Sequence, residues 1–242
     1  MTNPEDVRSL AKAITDEVRP FPTTQKAVRW RTASWEKWLR TECGELEALA
    51  AVKNQSKEID DSFLEIDRDG VKQLAEAEDA LATFVASQVW GHGPSGYGPY
   101  RVAVTLGLTE SPSQKGSVFD SRHDTLERAQ RLCLEEGGVE AYRFLVNEGK
   151  LPLLGPAFLT KYLFFVGSQP LGSPRPLVLD AVVRKSIEKH ARDSLARSFG
   201  RTEYYESYLA LVEGVVGHLS LGGTECSAED VELALFQLGK KM

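Results

Sequence analysis

The chain has 242 residues, 42% of them hydrophobic and 26% charged, so it is long enough to bury a substantial core and of ordinary globular composition. Its net charge of −6 argues against a generally nucleic-acid-binding surface, which would be basic, unless the charge is unevenly placed. Three scattered cysteines (Cys43, Cys133 and Cys226) give no disulfide framework, and the first residues lack the basic-then-apolar pattern of a leader peptide. The most apolar run, Tyr162 to Gly167, is too short for a membrane span, so a cytoplasmic protein is expected.

Helical spacing dominates. A first helix follows Pro4 and stops at Pro20 and Pro22. A second is predicted from Thr24 to about Ala51, with Trp35, Trp38 and Leu39 on one face. A long helix is predicted from Gly70 to Trp90, burying Leu74, Leu81, Phe84, Val85 and Val89. The run from Gly91 to Pro99 is a glycine-rich loop, and Ser111 to Ser117 is expected to be polar and mobile. Two short helices follow, Asp124 to Glu136 and Val139 to Glu148. A turn at Leu151 to Pro156 then opens a nearly all-apolar helix from Ala157. A proline-rich connection, Gln169 to Pro176, precedes a helix that starts at Asp180 and runs to about Arg197. Helices over Thr202 to Leu219 and Ser227 to Lys240 complete the chain, the last opened by an N-cap arrangement of Ser227 and Asp230. The expected fold is all-α: one compact helical region over residues 1–242, with any active-site cleft between two helical lobes.

The charge is unevenly placed. Residues 42–81 carry −8, whereas residues 161–201 carry +5 and could follow a phosphate backbone. A solvated helix face would look the same. The basic stretch begins at Lys161, a lone cation in an apolar helix. Such a lysine reaches solvent, pairs with an acid, or loses its charge, and the neutral amine is a nucleophile. Asp180 stands directly before a helix, where its carboxylate can accept backbone N–H bonds and remain ionised. That suits an electrostatic partner for developing positive charge, and equally a plain cap.

The hairpin, Thr160-Lys161, the apolar helix and Asp180 opening the next helix together resemble the helix-hairpin-helix DNA glycosylases. Leu154-Gly155-Pro156-Ala157-Phe158-Leu159-Thr160-Lys161-Tyr162-Leu163 and Pro176-Leu177-Val178-Leu179-Asp180 are similar to the bacterial branch with an 8-oxoguanine DNA glycosylase fold. The resemblance is concentrated between about Leu151 and Lys185. It implies Lys161 as nucleophile and Asp180 as its acidic partner, acting on double-stranded DNA that holds a damaged or modified base. It also implies backbone contacts around Gly155, Ala157 and Thr160, to which the basic stretch adds Arg184 and Lys185. The usual hairpin glycines four and two residues before the lysine are here Ala157 and Leu159, so the detailed phosphate contacts depart from the family pattern.

Base removal requires the nucleotide to leave the stack. Candidates to line its pocket are Trp90 and Tyr97 around the glycine-rich loop, Phe158, and Glu232 with Phe236, which are four apart and share a helical face. A carboxylate there could accept from an exocyclic amine, which keeps a modified cytosine beside 8-oxoguanine. The alternatives are therefore the same chemistry on a bulky phage-type base, as antiviral defence, or a non-catalytic DNA-binding module. No cofactor is called for, and a monomer is expected. The segment Glu65 to Gly70 with Glu76 only mimics a calcium loop, and His92, His123, His190 and His218 form no ligand spacing, so no metal is expected.

Overall fold

The computed structural model describes residues 2–18, 21, 24–42, 44–167, 173–195 and 198–242. Pro20, Pro22, Cys43, the first half of the proline-rich connection (169–172) and Arg197 lie outside them. Twelve α-helices dominate the described residues, with two small antiparallel sheets near the N-terminus. No helix among them is long and apolar enough to cross a membrane.

Helix α1 (Pro4–Glu17) starts as expected. Asn3 accepts the Glu5 N–H at 3.0 Å, and Pro4 occupies the first turn, where its missing N–H costs nothing. The stretch expected to be one helix to Ala51 is instead β1 (Val28–Arg31), α2 (Thr32–Trp38), β2 (Arg40–Thr41), β3 (Gly44–Glu45) and α3 (Glu47–Gln55). After it come β4 (Lys57–Asp60) and β5 (Phe63–Ile66), and β5 lies between β1 and β4. In β1 the side chains alternate: Trp30 is fully buried while Arg29 and Arg31 face out. The β4–β5 turn is closed by Asp60, whose Oδ1 accepts from the N–H groups of Ser62 and Phe63.

The predicted helix from Gly70 to Trp90 is two helices, α4 (Arg68–Ala75) and α5 (Ala80–His92). Glu78 breaks it with φ of +56°, and Asp79 caps α5 by accepting from Leu81 and Ala82, both at 2.9 Å. Asp67 does the same for α4, accepting from Gly70 at 2.8 Å, which gives the apparent calcium loop its structural meaning. Every residue of α5 from Ala80 to Trp90 is buried, as a helix at the centre of a core must be.

Next come α6 (Gly98–Thr105) and α7 (Pro112–Glu135). The segment expected to be mobile, Ser111 to Ser117, is the start of α7; Pro112 at the first helical position is the signal that fits it. Then follow α8 (Gly138–Val146), α9 (Pro156–Val166) and α10 (Ala181–His190), which ends short of the predicted Arg197. The last two are α11 (Thr202–Leu221) and α12 (Ala228–Lys240), the latter opened by a complete Ser227–Asp230 capping box. Helices α5 and α9 pack together, and α10 lies on α12 so closely that a Cβ on Gly239 would collide with the Val182 carbonyl oxygen.

Candidate active site

Helix α9 is anchored before it delivers any functional group. The hairpin ahead of it is tied to α6 twice: Thr105 donates to the Pro152 carbonyl and Arg101 to the Leu153 carbonyl, both at 2.8 Å. Leu153 itself is held at φ +57°, a left-handed conformation unusual for leucine. Gly155 is the N-cap residue, its carbonyl accepting from Phe158 and Leu159. From Leu159 onward α9 is buried on all sides.

Thr160 has a different task from the DNA contact expected of it. It is fully buried, and its Oγ1 accepts the Leu179 N–H at 3.0 Å, so a backbone phosphate has no access to it in this conformation. That bond joins α9 to the extended segment before α10. Tyr205 secures the same segment by donating to the Leu177 carbonyl and accepting from the Leu177 N–H, and Tyr208 donates to the Val178 carbonyl. Three side-chain hydroxyls thus satisfy main-chain groups that would otherwise be buried and unpaired.

One residue further along each element, Lys161 meets Asp180. Their Nζ and Oδ2 atoms are 3.0 Å apart, with side-chain exposures of 8% and 17%. Asp180 divides its two oxygens: Oδ2 faces the ammonium, while Oδ1 accepts from Val182 and Val183 and caps α10. Burial pushes the Asp180 carboxyl up. The Lys161 charge and hydrogen bond and the two backbone N–H groups outweigh that and hold it below its ordinary value. The lysine therefore belongs to the paired kind, with Trp90 and Phe158 rings 5.9 and 5.6 Å from Nζ. Gly91 makes room for it, since a Cβ there would lie 2.7 Å from Lys161 Cδ and 3.1 Å from the Phe158 ring.

The pair opens into a cavity of about 290 Å³, whose walls include three of the base-pocket candidates, Trp90, Glu232 and Phe236, with Arg68, His92 and Val178 beside them. This is near the lower end for a small-ligand pocket. Phe158 stands just behind this wall, stacked on His92 at 3.8 Å. Tyr97 is not in the cavity: it is 58% exposed, beside Tyr100 and Arg101 on the surface. Glu232, by contrast, is 1% exposed, and its carboxylate is 2.8 Å from Arg68.

Arg68, Gln88 and His92 were not singled out from sequence. Gln88 is buried and donates to the Phe158 carbonyl at 3.2 Å, bracing the first turns of α9. His92 is driven down to about 4, first by burial and then by the nearby Arg101 and Lys161 charges. An unfolded chain would protonate this imidazole below about 6.5 whereas the folded chain would not. Stability should therefore fall as pH drops from about 6.5 to about 4. His92→Phe, which keeps the stack on Phe158, should flatten that slope in urea denaturation curves.

Among the described residues no group of three His, Cys, Asp or Glu side chains is placed to hold a metal ion. No curated protein and no solved structure matches the chain. One family model does, that of the "Putative 8-oxoguanine DNA glycosylase OGG-like protein", over residues 22–236. The match takes in the hairpin, the Lys161–Asp180 pair and every cavity-lining residue but Lys240. With its helical architecture and this match, the chain belongs to the OGG-like family of helix-hairpin-helix DNA glycosylases.

Proposed function

We propose that this protein removes a modified purine from double-stranded DNA through a covalent lysine intermediate. The observation that carries the reading is the buried Lys161–Asp180 pair at the wall of a cavity lined by Trp90 and Phe236. The target nucleotide swings out of the stack and its base enters the cavity. The Lys161 ammonium gives its proton to Asp180, 3.0 Å away, and the freed amine attacks the sugar C1′. The C1′–N bond breaks; the base leaves with the bonding electrons and takes up a proton. Asp180, returned to its carboxylate form, balances positive charge on the sugar. Opening of the sugar ring, with the C1′–O4′ electrons going to O4′ and a proton to that oxygen, gives a Schiff base between Lys161 and C1′. Loss of a C2′ proton then expels the 3′ phosphate, so strand cleavage follows base removal. The family's name supports an oxidised guanine as the base. Borohydride reduction tests the reading: a stable protein–DNA adduct is expected with damaged duplexes, and DNA binding with neither base release nor an adduct would reduce the protein to a binding module.

The basic stretch supports DNA contact, but fewer of its members are free than the sequence suggested. Arg175 pairs with Glu229 at 3.3 Å and lies over the Phe164 ring, and Arg184 pairs with Glu188. Lys185, Lys189, Arg192 and Arg201 are exposed. Lys185→Ala should lower the slope of log affinity against log salt by about 0.9, the loss of one phosphate contact, whereas Arg175→Ala should leave it unchanged. Fluorescence anisotropy titrations across a salt series measure both.

A further inference from the structure

The cavity beside Lys161 carries a charge that its own ion pairs do not cancel. Three cations and two carboxylates line it: Arg68, Lys161 and Lys240 against Asp180 and Glu232. Lys161 takes Asp180 at 3.0 Å, and Arg68 takes Glu232 at 2.8 Å. His92, driven down to about 4, adds no charge at neutral pH. Lys240 is the cation left over. It has no carboxylate partner among the described residues, and its ammonium lies 4.7 Å from the centre of the Phe236 ring, another wall of the same cavity. Lys161 and Arg68 are buried while Lys240 is exposed, so the two pairs stand inside the cavity and Lys240 stands at its mouth.

Packing fixes where that mouth lies. Ser186 of α10 donates to the Leu235 carbonyl at 2.6 Å, and Gly239 lets the last turn of α12 close on the Val182 carbonyl. Val182 in turn donates its N–H to Asp180. Lys240 is therefore held beside the start of α10, the end at which Asp180 faces Lys161. A lysine in the last turn of a helix complements the helix dipole wherever it points. The dipole does not explain why this one lines the cavity with its ammonium over an aromatic wall.

A nucleotide that enters base first leaves its phosphates outside. Lys161 has to meet C1′, and the two phosphates flanking that sugar travel with it to the mouth. An unpaired ammonium thus stands where an anion arrives. Lysine binds phosphate as a compact point charge on a flexible stem, and the Phe236 ring pre-places that stem here. We infer that Lys240 binds a phosphate flanking the extruded nucleotide and so holds that nucleotide in its extrahelical position. The inference rests on the reading of the cavity as a glycosylase pocket and deepens it. It also sets Lys240 apart from the exposed cations Lys185, Lys189 and Arg192. Those can meet the backbone of any duplex, whereas Lys240 meets its phosphate only after a nucleotide has left the stack.

The test measures binding by fluorescence anisotropy to an unmodified duplex and to one with a single tetrahydrofuran abasic site, which has no leaving group at C1′. In two further duplexes one or the other phosphate flanking the tetrahydrofuran is an uncharged methylphosphonate. Wild type should prefer the tetrahydrofuran duplex. Neutralising one of the two phosphates should weaken that binding about tenfold, the loss of one contact to a charged group. Lys240→Met keeps an apolar stem on Phe236 and removes the charge. It should weaken the tetrahydrofuran duplex by about the same factor, leave the unmodified duplex within about twofold, and ignore the methylphosphonate. Lys240→Arg should restore the wild-type response. Wild type without a preference for the tetrahydrofuran duplex overturns the inference, as does equal sensitivity of wild type and Lys240→Met to each methylphosphonate. Equal weakening of both duplexes by Lys240→Met overturns it too, and so does a loss of stability with no coupling to either phosphate, the mark of a lysine that only complements the α12 dipole. Borohydride trapping by wild type on cleavable damaged duplexes reports the lysine chemistry separately. Absence of an adduct removes the Lys161 mechanism, whereas trapping without phosphate coupling removes the Lys240 contact alone.

Discussion

Lys161→Ala should reduce borohydride-trapped adduct to background and slow base release by about 10³-fold or more, because it removes the amine held against Asp180 at the cavity wall. The fold should survive. Asp180 keeps its bonds to Val182 and Val183, and its side chain retains some solvent contact, so the orphaned carboxylate is not stranded as a fully buried charge would be. The acid limb of the stability curve gives a second readout. In the wild type the depressed Asp180 carboxyl contributes stability that is present above its unfolded value, near 3.9, and lost as pH falls through the lower folded value. Removing the ammonium raises the folded value, so the variant should lose less on acidification. A variant that excises bases at the wild-type rate would dismiss Lys161 as nucleophile.

Asp180→Asn and Asp180→Ala separate the two tasks of one side chain. Both remove the charge that faces Lys161, so both should slow base release by about 10²–10³-fold. Only the alanine also removes the cap. Asparagine still presents an oxygen to Val182 and Val183, so it should be more stable than the alanine variant by about 1 kcal/mol in denaturant titration. Both should be less stable than wild type, since each leaves the Lys161 ammonium buried opposite a neutral group. Full activity in Asp180→Asn would confine this residue to capping.

The candidate site was legible in sequence where it depended on local pattern. A lysine in an apolar helix, an aspartate directly before the next helix and a Glu232–Phe236 pair four apart all report on their own neighbourhoods, and the cavity brings Lys161, Asp180, Glu232 and Phe236 together. Arg68 and Gln88 carry no such signal. Both sit on helices α4 and α5, and each acquires its meaning only when those helices pack on α9 and α12. The small sheet was missed for a related reason: Val28–Arg31 is four residues long, and its partner strand lies some 35 positions away. Two of the missed helix boundaries had local signals after all. Ser111-Pro112 opens α7 and Asp79 opens α5, both ordinary helix starts outweighed by the apparent polarity or continuity of the surrounding sequence.

The bond between Thr160 and Leu179 bears on how this chain can be rearranged. It aligns two segments so that the next residues, Lys161 and Asp180, face each other, and the tyrosines of α11 clamp the second segment from its other side. The spacing between Lys161 and Asp180 is thereby set across the chain and not along it. Lengthening the connection between Gly167 and Ser173, or opening it to make new termini in a circular permutant, should leave the two functional groups in place. Loss of a single hydroxyl, in Thr160→Val, should disturb them more than several residues added between Gly167 and Ser173.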